Sequence, residues 1–193
     1  MDYATFLAKF AAVFEHSPWV ADAVFESTGG RLSDSTSLAA RFETVFMAAD
    51  PLRQLATIKA HPQLVSALAD PGKLTSDSAS EQSGAGLDRC TAAEVEEFGR
   101  LNKAYIEKFG FPFIIAVRDN TKDSILNTFQ TRIGNDTQTE FTTACAQVER
   151  IAELRSGDYF YIEAPAGATD ENWRDGLRRI EERREITRYI LIE

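Results

Sequence analysis

Histidine and cysteine are scarce in this chain, two of each among 193 residues, and the scarcity limits its chemistry. Cys90 and Cys145 lie far apart, outside any CxxC pairing or Cys/His metal spacing, so neither a disulfide framework nor a zinc site is expected. Two isolated thiols suit a reducing compartment, with both read as packing residues. The longest central apolar run, Phe111 to Val117, has seven residues, whereas a bilayer span needs about twenty. The start Met1-Asp2-Tyr3 shows no basic segment followed by an apolar one, and the end Tyr189-Ile190-Leu191-Ile192-Glu193 is not a peroxisomal address. The cytoplasm is the expected location. Positive charge is also short: 21 Lys+Arg stand against 30 Asp+Glu, a net charge of −9. Nucleic acid and anionic membrane are poor partners for such a chain, which leaves small molecules and proteins.

What is present is helical rhythm. Apolar residues recur at helical spacing up to about residue 156, so a single all-α, multi-helix domain is expected over residues 1–156. Ser17-Pro18, Ser37 and Asp50-Pro51 read as helix starts, the last with Leu52, Leu55 and Ile58 on its inner side. Thr91 with Glu94 forms a capping box ahead of Val95, Phe98, Asn102, Tyr105 and Phe109, with Gly110 as the stop. Thr137 with Glu140 reads as a second box. Beyond Arg155 the texture changes. Asp158–Glu163 and Ile186–Ile192 look strand-like and flank a charged helical stretch, Asp170–Glu185; residues 157–193 are read as an extension of unknown role.

Two places break the rhythm. In Lys59-Ala60-His61-Pro62-Gln63-Leu64 the proline forces His61 out of the α region, and it suits the first position of a new helix, which would put His61 at a helix entrance. The run Asp70–Gly86 has seventeen mostly small and polar residues, longer than loops of about 12–15 residues that need no explanation, so it is functional or a solvated linker. Any imidazole chemistry falls to His16, read as capping a helix end, or to His61, which is a catalytic or else a buried structural histidine. Arg132 and Arg155 on apolar-faced helices read locally as surface ion-pair partners, and Arg118 as the solvated end of the buried run Phe111–Val117.

Taken together, Phe14-Glu15-His16-Ser17-Pro18-Trp19-Val20, His61-Pro62-Gln63-Leu64, Ser80-Glu81-Gln82-Ser83-Gly84-Ala85-Gly86-Leu87, Leu101-Asn102-Lys103-Ala104-Tyr105 and Lys108-Phe109-Gly110-Phe111-Pro112-Phe113 resemble the 2-oxo-4-hydroxy-4-carboxy-5-ureidoimidazoline (OHCU) decarboxylase family. Gly134-Asn135-Asp136 leading to Glu140 also fits. The resemblance spans about residues 5–156. It implies an all-helical carboxy-lyase of urate degradation that forms (S)-allantoin and CO2 without cofactor or metal, commonly as a homodimer. It places the catalytic pair on His61 and Glu81, and substrate contacts on Pro62, Ser78, Gln82, Ile114 and Arg155. Phe111 and Arg118 lie in shared motifs and complete the candidate set. The chemistry agrees, because the substrate's own ring C=N can take the electron pair released with CO2. Two alternatives stand beside this reading: a helical enzyme for a related ureido or imidazolinone compound, and an acidic helical interaction module using Asp70–Gly86.

Overall fold

The computed structural model describes residues 1–31, 35–65, 74–157, 160–163 and 189–192. Eight α-helices fill the described part of the first 157 residues: α1 (Tyr3–Phe10), α2 (Trp19–Thr28), α3 (Ser35–Met47), α4 (Pro51–Ala60), α5 (Ser76–Gly84), α6 (Ala92–Phe109), α7 (Lys122–Arg132) and α8 (Thr137–Gly157). The fold is therefore all-α over this span, and none of the described helices is long and apolar enough to cross a membrane. The ends are set locally. Asp50 accepts the Leu52 N–H at 2.8 Å ahead of Pro51, and the Thr91/Glu94 capping box opens α6. Gly29 and Gly110 close α2 and α6 in the left-handed region, at φ +61° and +75°, where a Cβ would be strained.

The long α8 packs against α3, α4 and α6, while α2 lies against α1 and α3. Phenylalanine fills the space between. Phe6, Phe10, Phe14, Phe42 and Phe46 bury one end of the domain. Phe98, Tyr105, Phe113 and Phe129 bury the other, with Phe113 and Phe129 stacked at 4.0 Å between centroids.

Several local expectations are corrected. Leu52 is 77% exposed: the inner face of α4 carries Gln54, Thr57 and Ile58, and Leu52 lies about 200° around the helix from Gln54. Helix α3 starts at Ser35 rather than Ser37, and α2 opens without a side-chain cap from Ser17. At the start of α8 the Thr139 N–H is taken by Asp136, at 2.9 Å, while Glu140 turns into the core. Half of the segment read as a loop is helix α5, capped by Thr75. It escaped the periodicity because its inner face is polar. In the extension, β1 (Phe160–Glu163) and β2 (Tyr189–Ile192) pair in parallel with Phe160 opposite Tyr189; the helix expected over Asp170–Glu185 lies outside the described residues.

Candidate active site

His61 lies at the end of α4, not at a helix entrance. No helix begins at Pro62; the proline holds His61 extended at φ −71°, ψ 141°, and its N–H still reaches the Ile58 carbonyl at 3.2 Å. The ring Nδ1 is 2.9 Å from the Thr57 carbonyl. A carbonyl only accepts, so Nδ1 carries the proton and Nε2 keeps its lone pair. Free carbonyls at a helix C-terminus favour imidazolium. Burial outweighs them. With 8% of the residue exposed, desolvation pulls the imidazole down to about 4, against the pull of the Thr57 carbonyl and Glu15, and Arg155 pushes the same way as burial. His61 is a neutral base at physiological pH.

Helix α5 presents Ser78, Glu81 and Gln82 on one face, the i, i+3, i+4 spacing of a single helical side. Facing it is Arg155 of α8, 2% exposed and so not a surface ion-pair partner. Its Nε and Nη2 meet the two Glu81 oxygens at 2.9 and 2.8 Å in a bidentate fork. Its Nη1 reaches Glu15 at 2.9 Å and the Val13 carbonyl at 3.4 Å, and the remaining Nη2 hydrogen reaches Ser78 at 3.2 Å. All five N–H donors of the guanidinium are thus engaged within the protein. Glu15 also accepts from Thr75 at 2.7 Å and Ser78 at 3.0 Å, and its carboxyl is held below the usual range by Thr75 and Arg155, which together overcome burial. The Gln82 carbonyl oxygen accepts the Val65 N–H at 3.1 Å, which leaves its amide N–H2 as a donor.

His61, Pro62, Ser78, Glu81, Gln82, Ile114 and Arg155 line one interior hollow. Its free space is about 30 Å³, the share of one water molecule. An outer hollow of about 420 Å³ adjoins it through the shared residues Glu81 and Val117, with Arg118 exposed on its wall. Phe111 is not brought to either space. It lines a third hollow, of about 500 Å³, together with His61 and Pro62, and packs against Tyr105, Phe109 and Phe141.

A second buried polar group braces the wall. Arg132, also buried, donates from Nε and Nη2 to Glu140 at 2.9 and 2.5 Å and from Nη1 to the Ile114 carbonyl at 2.7 Å. Tyr105 and Asn135 donate to the same Glu140 carboxylate, and burial with the Glu140 contact pushes the Tyr105 phenol far up. The segment 111–117 is thereby held from behind. On the other side Asn102 donates to the Leu64 carbonyl at 3.0 Å, fixing the turn after His61. Glu15, Thr57, Thr75 and Asn102 are site-building residues that sequence reasoning missed. Two signals were present: Glu15 stands in the Phe14–Val20 motif, and Asn102 is a polar residue on the apolar side of α6.

The family model described as OHCU decarboxylase matches residues 1–157. The OHCU decarboxylase of Haloferax volcanii is 36% identical over 163 residues, covering 84% of this chain and 94% of its own length. The uric acid degradation bifunctional protein PucL of Bacillus subtilis is 36% identical over 159 residues, 82% of this chain and 31% of that longer protein. A crystal structure of OHCU decarboxylase in the presence of (S)-allantoin superposes with a TM-score of 0.62 at 27% identity, covering 76% of this chain and 94% of that one. An all-helical fold with these relatives defines an enzyme of the carboxy-lyase class. Within it, the chain belongs to the OHCU decarboxylase family.

Proposed function

We propose that this chain converts OHCU to (S)-allantoin and CO2 in urate degradation, with His61 and Glu81 as the reacting pair and no cofactor or metal. One observation carries the reading: a neutral imidazole, its Nδ1–H anchored on Thr57, and a carboxylate clamped by Arg155 line the same small hollow.

When the carboxylate leaves as CO2, its bonding pair passes to the ring carbon and on to the adjacent C=N, whose nitrogen takes a proton from water. The Nε2 lone pair of His61 accepts the hydroxyl proton as the new carbonyl forms, and the imidazolium returns it to one face of the carbon bearing the ureido group. Atoms balance with one proton consumed per substrate carboxylate. Glu81 accepts hydrogen bonds from ring or ureido N–H groups, and the Gln82 amide donates to a ureido oxygen. Pro62 and Ile114 supply apolar walls. Ser78 and Arg155, their donors spent on Glu15 and Glu81, act by holding α5 and Glu81 in place. Arg118 on the outer wall adds positive charge on the path of an anionic substrate. Phe111 acts behind His61 through packing. The interior space is smaller than the substrate, so binding widens it toward the outer hollow. A cytoplasmic homodimer completes the proposal and is checked by sedimentation and cell fractionation.

The test generates OHCU in place from urate with urate oxidase and hydroxyisourate hydrolase, then follows CO2 and optically active allantoin. Wild type accelerates both, and His61→Ala lowers kcat by about 10²–10⁴-fold while KM changes little. Unchanged enantioselective turnover by His61→Ala removes the imidazole from the mechanism.

A further inference from the structure

We infer that Glu15 is a positioning residue of the reaction: its buried carboxylate holds the third corner of the Arg155 guanidinium, and through it the aim of Glu81. The inference rests on the site reading above and adds to it a residue from a different part of the chain.

Glu15 comes from the turn between α1 and α2, yet it binds Thr75 and Ser78 of the α5 start and Arg155 of α8, partners 60, 63 and 140 residues away. One side chain thus ties its own turn to α5 and α8, two of the segments that line the hollow. The Glu81 oxygens are both held by the Nε–Nη2 edge of Arg155, so the plane of the guanidinium decides where Glu81 points. A planar group gripped on one edge can still swing about that edge. Glu15, on Nη1, is the charged and shortest of the three contacts that remove this freedom, beside the Val13 carbonyl and Ser78.

Charge supports the same conclusion. One carboxylate neutralises a buried arginine, and a second one carries its own desolvation cost. A donor at Nη1 could be satisfied by a neutral carbonyl, as Val13 does on the other Nη1 hydrogen. A charged acceptor that also accepts hydrogen bonds from Thr75 and Ser78 gives a stiffer anchor than stability requires.

The test measures OHCU turnover by Glu15→Gln, Glu81→Gln and the double variant, with circular dichroism to check folding. Loosening Glu81 without removing substrate contacts lowers kcat by about tenfold or more and leaves KM within about threefold. Because Glu15 acts through Glu81, adding Glu15→Gln to Glu81→Gln costs less than about threefold more. If Glu15→Gln does not fold, Glu15→Asp, which keeps the charge and withdraws it by one methylene, reads the same kcat-only loss. A folded variant with kcat within about threefold of wild type, or a loss that multiplies fully onto Glu81→Gln, overturns the inference. Wild type inert on OHCU overturns the proposed function itself, which sets the two failures apart.

Discussion

Replacing Arg155 by methionine keeps most of the side-chain volume and withdraws a cation that faces both Glu15 and Glu81. Arg155 is 2% exposed and its ion pairs to the two carboxylates are 2.9 and 2.8 Å long, so solvent screens them little. Leaving buried carboxylates without a partner costs about 3–5 kcal/mol. A chain of this size loses about 2–4 °C per kcal/mol, so the melting temperature near neutral pH falls by about 6–20 °C. The loss depends on pH with a defined sign. In wild type the Glu15 carboxyl is held below its ordinary value of 4.5, so its stabilisation is present above that value and disappears as pH falls through the lowered one. Without Arg155, burial dominates and lifts the Glu15 carboxyl above its unfolded value; the variant's penalty then holds at high pH and is relieved by protonation. Thermal melts followed by circular dichroism at about pH 7 and about pH 5 therefore show the gap to wild type narrowing on acidification. A drop below about 2 °C, or a gap equal at both pH values, refutes the claim that the guanidinium holds the buried Glu15 and the half-buried Glu81 carboxylates.

The buried His61 leads to a second expectation: kcat/KM stays level from neutrality down to about pH 5 and falls to half near 4, where the base is protonated. A midpoint near the ordinary histidine value of 6.5 contradicts the buried, Thr57-anchored imidazole. Because the folded state lowers this affinity for protons, the unfolded chain binds more of them between about 4 and 6.5, and stability contributed by His61 declines as pH drops through that window. Phe129→Ala removes a ring stacked at 4.0 Å on Phe113, which also meets the Arg132 guanidinium 4.5 Å from its centroid. Urea denaturation registers a loss of about 3–5 kcal/mol, and a loss under about 1 kcal/mol contradicts the packing described.

Helix boundaries written in local chemistry were legible in advance. The Thr91/Glu94 box, Asp50-Pro51 and Gly110 act within four residues of themselves, so the chain announces them without its fold. Apolar periodicity found the inner face of α6, with Phe98, Tyr105 and Phe109 buried. Helix α5 was hidden because the residues it turns inward are serine, glutamate and glutamine, which carry no apolar period. Leu52 was misplaced because spacing alone cannot choose between two faces of α4 when the winning face carries Gln54 and Thr57. The motifs around His61 and Glu81 pointed to the site by resemblance, and the two residues do line one hollow.

The polar interior divides what was readable from what was not. Glu140 looks like a capping residue and Arg132 and Arg155 like surface cations; each is buried opposite a counter-charge, Arg132 and Glu140 meeting across the α7–α8 turn and Arg155 meeting Glu15 and Glu81 from far along the chain. Burial of an apolar side chain is favourable almost anywhere it can occur, and so it leaves a period in the sequence. Burial of a charge is favourable only opposite its counter-charge and donors, and those come together only when α5, α8 and the turn after α1 close on one another.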